Sequence, residues 1–270
     1  MNELSKQIQR RYEGYLHTPS LWEKAPLFGL PSFQIDQKSM PFNLKMDEKL
    51  RLGKYVERFV SFQLQQEESI DLIAENVQIQ DEKITIGELD TLLFRNGVPI
   101  HLEIVYKFYL YDPSVGDSEI EHFIGPNKKD SLVEKLQKLK TKQLPLLFKN
   151  ETQPYLESLG LQAANFNQEV YFKAQLFLPL NLPEMVFTVI NGACICGFYI
   201  HKRDLALFAD CKFYIPSKIN WLIDPHAHVN WISYLQYAQK VEKNISDKQS
   251  PLCWLKKPNG QLAKFFLVWW

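Results

Sequence analysis

Hydrophobic and polar positions alternate most regularly from residue 84 to 111, ITIGELDTLLFRNGVPIHLEIVYKFYLY, which predicts two strands joined at Asn96-Gly97. An Asn-Gly pair between apolar runs favours a type I′ turn, whose two central residues both need positive φ. A two-residue loop sets Arg95 opposite Val98, and continuing that register brings Asp90 opposite Glu103. One face of the second strand then carries His101, Glu103, Val105, Lys107 and Tyr109, and the other Leu102, Ile104, Tyr106, Phe108 and Leu110. The partner strand adds Ile86, Glu88, Asp90 and Leu92 to the polar face. Directly opposed like charges, with Cβ atoms roughly 4.5–5.5 Å apart, destabilise a hairpin. Asp90 and Glu103 therefore call for a proton, a cationic partner or a metal, and a hard divalent ion such as Mg²⁺ suits paired carboxylates. Two other arrangements fit the same residues. Lys107, diagonal to Glu88, would make a structural ion pair, and a bulge or a one-residue slip would separate the two acids.

The pattern elsewhere predicts a helix over residues 1–20 and an extended connector over 25–46, punctuated by Pro26, Pro31 and Pro41. From Asp47 to about Gln66, Leu52, Tyr55, Val56, Phe59 and Val60 make a helical stripe with Glu57 on its border. Residues 70–80 complete a three-stranded antiparallel meander with the hairpin. A helix follows from about Asp130, its expected N-cap, to Gln143, and Pro145 disfavours helix at Leu144. Leu132, Val133, Leu136 and Leu139 form its buried face; Lys135, Lys138 and Lys142 line another, either as a solvated face or as contacts to phosphates. Residues 169–179 alternate again and, coming after a helix, should pair parallel to an earlier strand through a right-handed crossover. Beyond them the chain reads as a strand at 193–200, a helix at 230–243 and a hairpin about Pro258-Asn259-Gly260. The expected units are 1–46 (helix and connector), 47–180 (α/β core) and 181–270 (a strand-rich, aromatic extension packed on the core).

An acid on a helix, an Asp on a strand, then a Glu on the next strand with a Lys after it form an ordered set: Glu57 in LGKYVERFVSFQL, Asp90 in GELD, Glu103 and Lys107 in HLEIVYKFYL. The set resembles the PD-(D/E)XK nuclease-like superfamily. The wider wording, through FIGPNKKDSLVEKLQKLKTKQLPLL, is similar to an uncharacterised bacterial family assigned to it, over about residues 47–150. The resemblance implies an α/β fold with an αβββαβ restriction-endonuclease-like core around a central mixed sheet. It also implies hydrolysis of phosphodiester bonds in nucleic acid with Mg²⁺ or Mn²⁺. Asp90 and Glu103 would be metal ligands, and Glu57 a further or water-mediated one. Lys107 would orient the attacking water or stabilise developing charge, and Gln143 would point towards the site. Lys135, Lys138 and Lys142 would contact substrate. The family places its lysine two residues after the acid, where this chain has Val105; Lys107 shares the face of Glu103 but lies a further ~6.6 Å along the strand. The contrasting reading is a non-catalytic descendant of the fold that binds nucleic acid or a protein partner.

Composition narrows the setting. With 46% hydrophobic and 13% aromatic residues the chain is globular rather than disordered, and its formal net charge of zero leaves any nucleic-acid contact to a local basic patch. The opening MNELSKQIQRRYEGYL lacks the apolar region of a secretory signal, and no stretch approaches ~18 uninterrupted apolar residues, so a cytoplasmic protein is expected. Cys194, Cys196, Cys211 and Cys253 fit that compartment as reduced, mostly buried thiols. Cys194 and Cys196 share a strand face without a second ligand pair at zinc spacing. His226, His228 and Asp224 offer a looser metal set, and Trp254, Trp269 and Trp270 are expected in core or interface packing rather than stacked on bases.

Overall fold

The computed structural model describes residues 3–23, 25–36, 39–182 and 185–270. Its elements are α1 (Glu3–His17), α2 (Leu52–Leu64), β1 (Ile70–Asp81), β2 (Ile84–Arg95), β3 (Val98–Tyr111) and β4 (Phe123–Ile124). There follow α3 (Leu132–Lys138), α4 (Gln153–Ser158), β5 (Asn167–Pro179), β6 (Ile195–His201), β7 (Lys212–Tyr214), α5 (Tyr234–Ser246), β8 (Leu252–Lys256) and β9 (Leu262–Val268). The strands form one mixed sheet in the order β1-β2-β3-β5-β6-β9-β8-β7, with β4 also on β3.

Alternation along the strands decides which helices each face carries. On β3, Leu102, Tyr106, Phe108 and Leu110 pack with Tyr12 and Tyr15 of α1 and Tyr55, Val56 and Phe59 of α2. Val105 and Tyr109 face the other way, onto Leu132, Leu136 and Leu139 of the α3 segment. The rule continues on β9, where Phe266 and Val268 join the first layer while Phe265 and Leu267 meet Tyr237 and Val241 of α5. The result is a mixed α/β arrangement with helices on both faces of the sheet. Gly14 allows α1 to lie against the turn at 218–222, since a Cβ there would overlap the carbonyl oxygen of Leu222. Arg11, 2% exposed, fastens the same junction: Nε donates to Asn220 Oδ1 at 2.8 Å and Nη1 to Glu48 Oε1 at 2.7 Å and Tyr55 Oη at 2.9 Å.

The Asn96-Gly97 turn has φ of 51° and 77°, as the hairpin requires. β5 runs parallel to β3 from Ile100/Asn167 to Leu110/Phe177. The connector between α1 and α2 is more than a spacer: Ser20 and Ser32 bridge to Lys173 and Val170, covering the first half of β5, and β6 pairs with the second half. The residues expected as a strand-rich, aromatic extension packed on the core continue this sheet, because β6 joins β5 and β9 joins β6, both in parallel. Trp254 is 1% exposed within the core. All four cysteines are free; Cys194, Cys211 and Cys253 are buried and Cys196 is exposed. Among the described residues no helix is long and apolar enough to cross a membrane.

A candidate active site where β2 leaves β3

The hairpin keeps its expected register for five pairs, from Arg95/Val98 to Thr91/Leu102, and the ladder then ends. Past that point β2 departs from a period of two: Leu89 and Leu92, three residues apart, both pack with Leu146 and Leu147. Asn76, on the β1 stretch between Glu75 (opposite Thr91) and Val77 (opposite Leu89), has φ of 55°. The expected face-to-face pair of Asp90 and Glu103 is therefore not a ladder pair. Asp90 sits at the irregularity, and its Oδ2 accepts the Ile104 N–H at 2.9 Å. It stays close to Glu103, whose negative charge helps to raise its pKa. β4 takes up the far end of β3 at Leu110 and Tyr111, so β2 and β4 between them leave a gap along the edge that starts at Glu103.

Glu103 is wholly buried, and its oxygens are held from two sides. Oε1 lies 3.2 Å from His101 Nε2, and Oε2 accepts Gln143 Nε2 at 2.5 Å. Gln168 Nε2 donates to His101 Nδ1 at 3.0 Å and to the Leu144 carbonyl at 2.6 Å, which leaves Nε2 as the protonated ring nitrogen facing Glu103. Burial pushes the His101 pKa down to about 4 against the pull of Asp90, so this contact is a hydrogen bond from a neutral imidazole. Gln143 in turn accepts from Lys135 Nζ at 2.6 Å.

Gln143 reaches Glu103 because α3 does not continue as α-helix. Residues Leu139–Gln143 form a π turn before a 3₁₀ turn at Leu144–Phe148, where Pro145 supplies no N–H. An extra residue in a turn rotates the side chains after it by about 100° around the helix, a device common at functional sites. The N-cap is Ser131, whose hydroxyl accepts the Glu134 N–H, rather than Asp130. Asp130 instead accepts Lys107 Nζ at 2.6 Å. Lys107 is thus paired with Asp130 rather than with Glu88, and Val105, where the resemblance would expect a lysine, is buried against the α3 layer. Two other cations act on Asp90 and Glu103: Lys135 on both acids and Lys54 on Asp90. Burial brings the Lys135 pKa down to about 8, opposed by the charges of Glu103 and Asp90.

A second group of acids borders the first. Lys54, three residues before Glu57 on α2, donates to Glu57 Oε2 at 2.9 Å, to Asn76 Oδ1 and to Glu88 Oε1. Burial raises the Glu57 pKa to about 7, with Asp90 and Glu88 adding and Lys54 opposing. Burial likewise raises Asp90 to about 7, followed by repulsion from Glu103. Glu103 rises to about 7 for the same first reason, with Glu57 contributing and Lys135 opposing. Three acids held near neutrality in one place mark a spot where negative charge is costly and a cation relieves it.

Of the residues singled out in the sequence, the fold gathers Glu57, Asp90, Glu103, Lys135 and Gln143. Lys138 and Lys142 lie exposed on the α3 segment. His101, Lys54, Glu88 and Gln168 belong to the same network and were not assigned to it; the His-x-Glu spacing on one strand face and the Lys54/Glu57 spacing of three were the available signals. Among the described residues no three or more His, Cys, Asp or Glu side chains are grouped as a metal-holding set.

A family model described as Domain of unknown function (DUF1853) matches residues 10–268. No curated protein and no solved structure matches the chain.

Proposed function

Because the chain belongs to that family, whose description names no activity, we propose from the site itself that the protein is a metal-dependent phosphodiester hydrolase acting on nucleic acid. The observation that carries this reading is the buried pair of Asp90 and Glu103, both pushed up to about 7, at the gap where β2 leaves β3. The element order α2-β1-β2-β3-β4-α3-α4-β5, with β5 parallel to β3, supports a restriction-endonuclease-like core around that gap.

Asp90 and Glu103 would hold Mg²⁺ or Mn²⁺, with Glu57 beside them. Such an ion supplies charge neutralisation at a phosphoryl oxygen and a more acidic bound water. The chain's own groups do the rest. His101 donates to Glu103 and fixes its carboxylate plane, as outer partners of metal-binding carboxylates do. Gln143 holds the other oxygen and links it to Lys135. Lys135, rather than Lys107, brings positive charge to the acids and, with its pKa near 8, is mostly protonated at neutral pH, where it can offset charge developing on a phosphate. Lys138 and Lys142 extend the positive face outwards for the backbone of the substrate.

Titration of Mn²⁺ and Mg²⁺ into the purified chain by calorimetry, beside Asp90→Ala and Glu103→Ala, tests this without a guess about substrate. Saturable binding should be lost in both variants, and metal-dependent cleavage of DNA or RNA with it. Binding should weaken below about pH 7, as the carboxylates take up protons. Cleavage retained by Asp90→Ala would refute the assignment.

The pairing of Lys107 with Asp130 favours a second reading, a non-catalytic binding protein on the same fold. It predicts no metal-dependent turnover and nucleic-acid or protein binding that responds to charge reversal of Lys135, Lys138 and Lys142 but not to Asp90→Ala.

A further inference from the structure

At the other end of the sheet, a cavity of about 210 Å³ lies between α1, the turn at 218–222, the loop at 226–230 and strands β7 and β8. In the sheet β5, β6 and β9 separate β8 from β3, so this cavity shares no wall with the acid site.

Its lining includes two buried side-chain nitrogens without a partner. Trp254 is 1% exposed, and its buried indole N–H meets no acceptor. His226, whose ring centroid is 5.2 Å from that of Trp254, has a buried Nδ1 likewise without a partner. Asn220 Oδ1 accepts from Arg11 Nε at 2.8 Å, which leaves its amide N–H₂ to donate. Arg10 lines the same space and has no ion-pair partner among the described residues. Glu3 supplies a single carboxylate. A buried N–H without an acceptor is costly, and with His226 Nδ1 in its N–H tautomer two such donors on one cavity wall call for an acceptor.

The charges decide what kind of acceptor. His226, His228 and Asp224 were the loose metal set of the sequence, but Asp224 is turned to His17, at 2.7 Å, and towards Lys264, at 3.8 Å. His226 is left facing the positive charge of Arg10, which lowers its pKa further after burial has done so. That field repels a cation and attracts an anion. Size limits the anion. Sites for drug-sized ligands run to about 300–1,000 Å³, and this one is smaller. Tyr214, its ring 5.0 Å from Trp254, and Ile223 and Val229 make an apolar wall beside the donors.

We propose that this cavity binds a small phosphate-bearing anion, with Arg10, His226 and Trp254 donating to its oxygens. Arginine's planar fork suits a tetrahedral oxyanion in a bidentate contact, and the aromatic wall accommodates a short organic group on a monoester.

The test is calorimetric titration of inorganic phosphate and of glycerol phosphate into the full chain. Saturable binding is expected with at least one of them. Hydrogen bonds to charged groups contribute about 1.5–3 kcal/mol, so Arg10→Gln should weaken it about tenfold or more. Trp254→Phe, which keeps an aromatic ring and removes the N–H, should weaken it by a similar factor, with circular dichroism to check its fold. Should the Trp254 variant unfold, Arg10→Gln, at a half-buried helix position, carries the test alone. Tighter binding of glycerol phosphate assigns a monoester, and equal binding assigns the free anion. No saturable binding of either probe, or binding indifferent to Arg10→Gln, overturns the proposal. So does binding abolished by Asp90→Ala, which would locate the anion at the acid site.

Discussion

Glu103 and Lys173 stand on adjacent strands, β3 and β5, and both are buried, at 0% and 1% exposure. Lys173 is surrounded by fixed acceptors: its ammonium donates to the carbonyls of Tyr15 at 2.9 Å, Leu16 at 3.3 Å and Thr18, the carbonyl-bearing end of α1. A cation at a helix C-terminus is well placed, because the last carbonyls have no partner within the helix. Glu103 has donors too, but its charged neighbours include Asp90 and Glu57, of its own sign. One buried charge is answered by dipoles and serves to seat α1 on the sheet. The other is set among like charges, an arrangement that spends stability and makes sense where a mobile cation is to be received.

The two environments respond to pH in opposite directions. Burial lowers the Lys173 pKa to about 7. The unfolded chain then binds the extra proton between about pH 7 and the ordinary lysine range, and stability from this group rises with pH across that window. The raised acids bind their protons more tightly when folded, so their stabilising effect is complete below the ordinary carboxylate range and is lost as pH rises through about 7.

The largest effect expected from this contrast is in Lys173→Met, which leaves three buried carbonyls without their donor. Urea unfolding at pH 7 should register a loss of about 3 kcal/mol, and a loss below about 1 kcal/mol would show that the carbonyls find other partners. Asp90→Asn should do the reverse. At pH 8 without metal it should stabilise the protein by about 2 kcal/mol, an advantage that fades towards pH 5 as the wild-type carboxyl becomes neutral. A destabilised Asp90→Asn at pH 8 would break the comparison, making the acids a structural cluster like that of Lys173. Adding Mn²⁺ sharpens it, since the wild type should gain thermal stability and the variant should not. The smallest effect belongs to Lys107→Met. Its bridge to Asp130 is between side chains 37% and 41% exposed, so stability should change by less than about 1 kcal/mol. Hydrolysis should stay within about threefold of wild type, whereas Lys135→Met should reduce it by about a hundredfold.

Much of the core was legible from local rules. Asn96-Gly97 fixed the hairpin, the alternation of β3 named its two faces, and a helix before residues 169–179 foretold a parallel β5. The site was legible as a set of residues and less so as a geometry. Asp90 was placed by extrapolating the hairpin register, and the irregularity between Leu89 and Leu92 overrode it, because burying both leucines against Leu146 and Leu147 outweighs two more ladder bonds. Lys107 was named for its strand face, but strand periodicity says nothing of Asp130, which arrives from a loop 23 residues away. Lys135 was noticed on a basic helix face, and only the resemblance pointed Gln143 towards the site; their meeting at Glu103 depends on a π turn that no helical periodicity announces. The joining of β6 to β5 was hidden for a similar reason: parallel pairing between distant segments leaves no local turn signal.

The placement of β9 has a bearing on how the chain reaches this state. It is the last of the nine strands among the described residues, yet it lies inside the sheet, parallel to β6 on one side and antiparallel to β8 on the other. Until it arrives, β7 and β8 have no tie to β1–β6 within the sheet, and β6 presents a row of unsatisfied amides and carbonyls along one edge. Parallel pairing across a long span of sequence is slow to form. A chain in which β9 is the last strand to pair would leave that edge open to a strand from a neighbouring molecule.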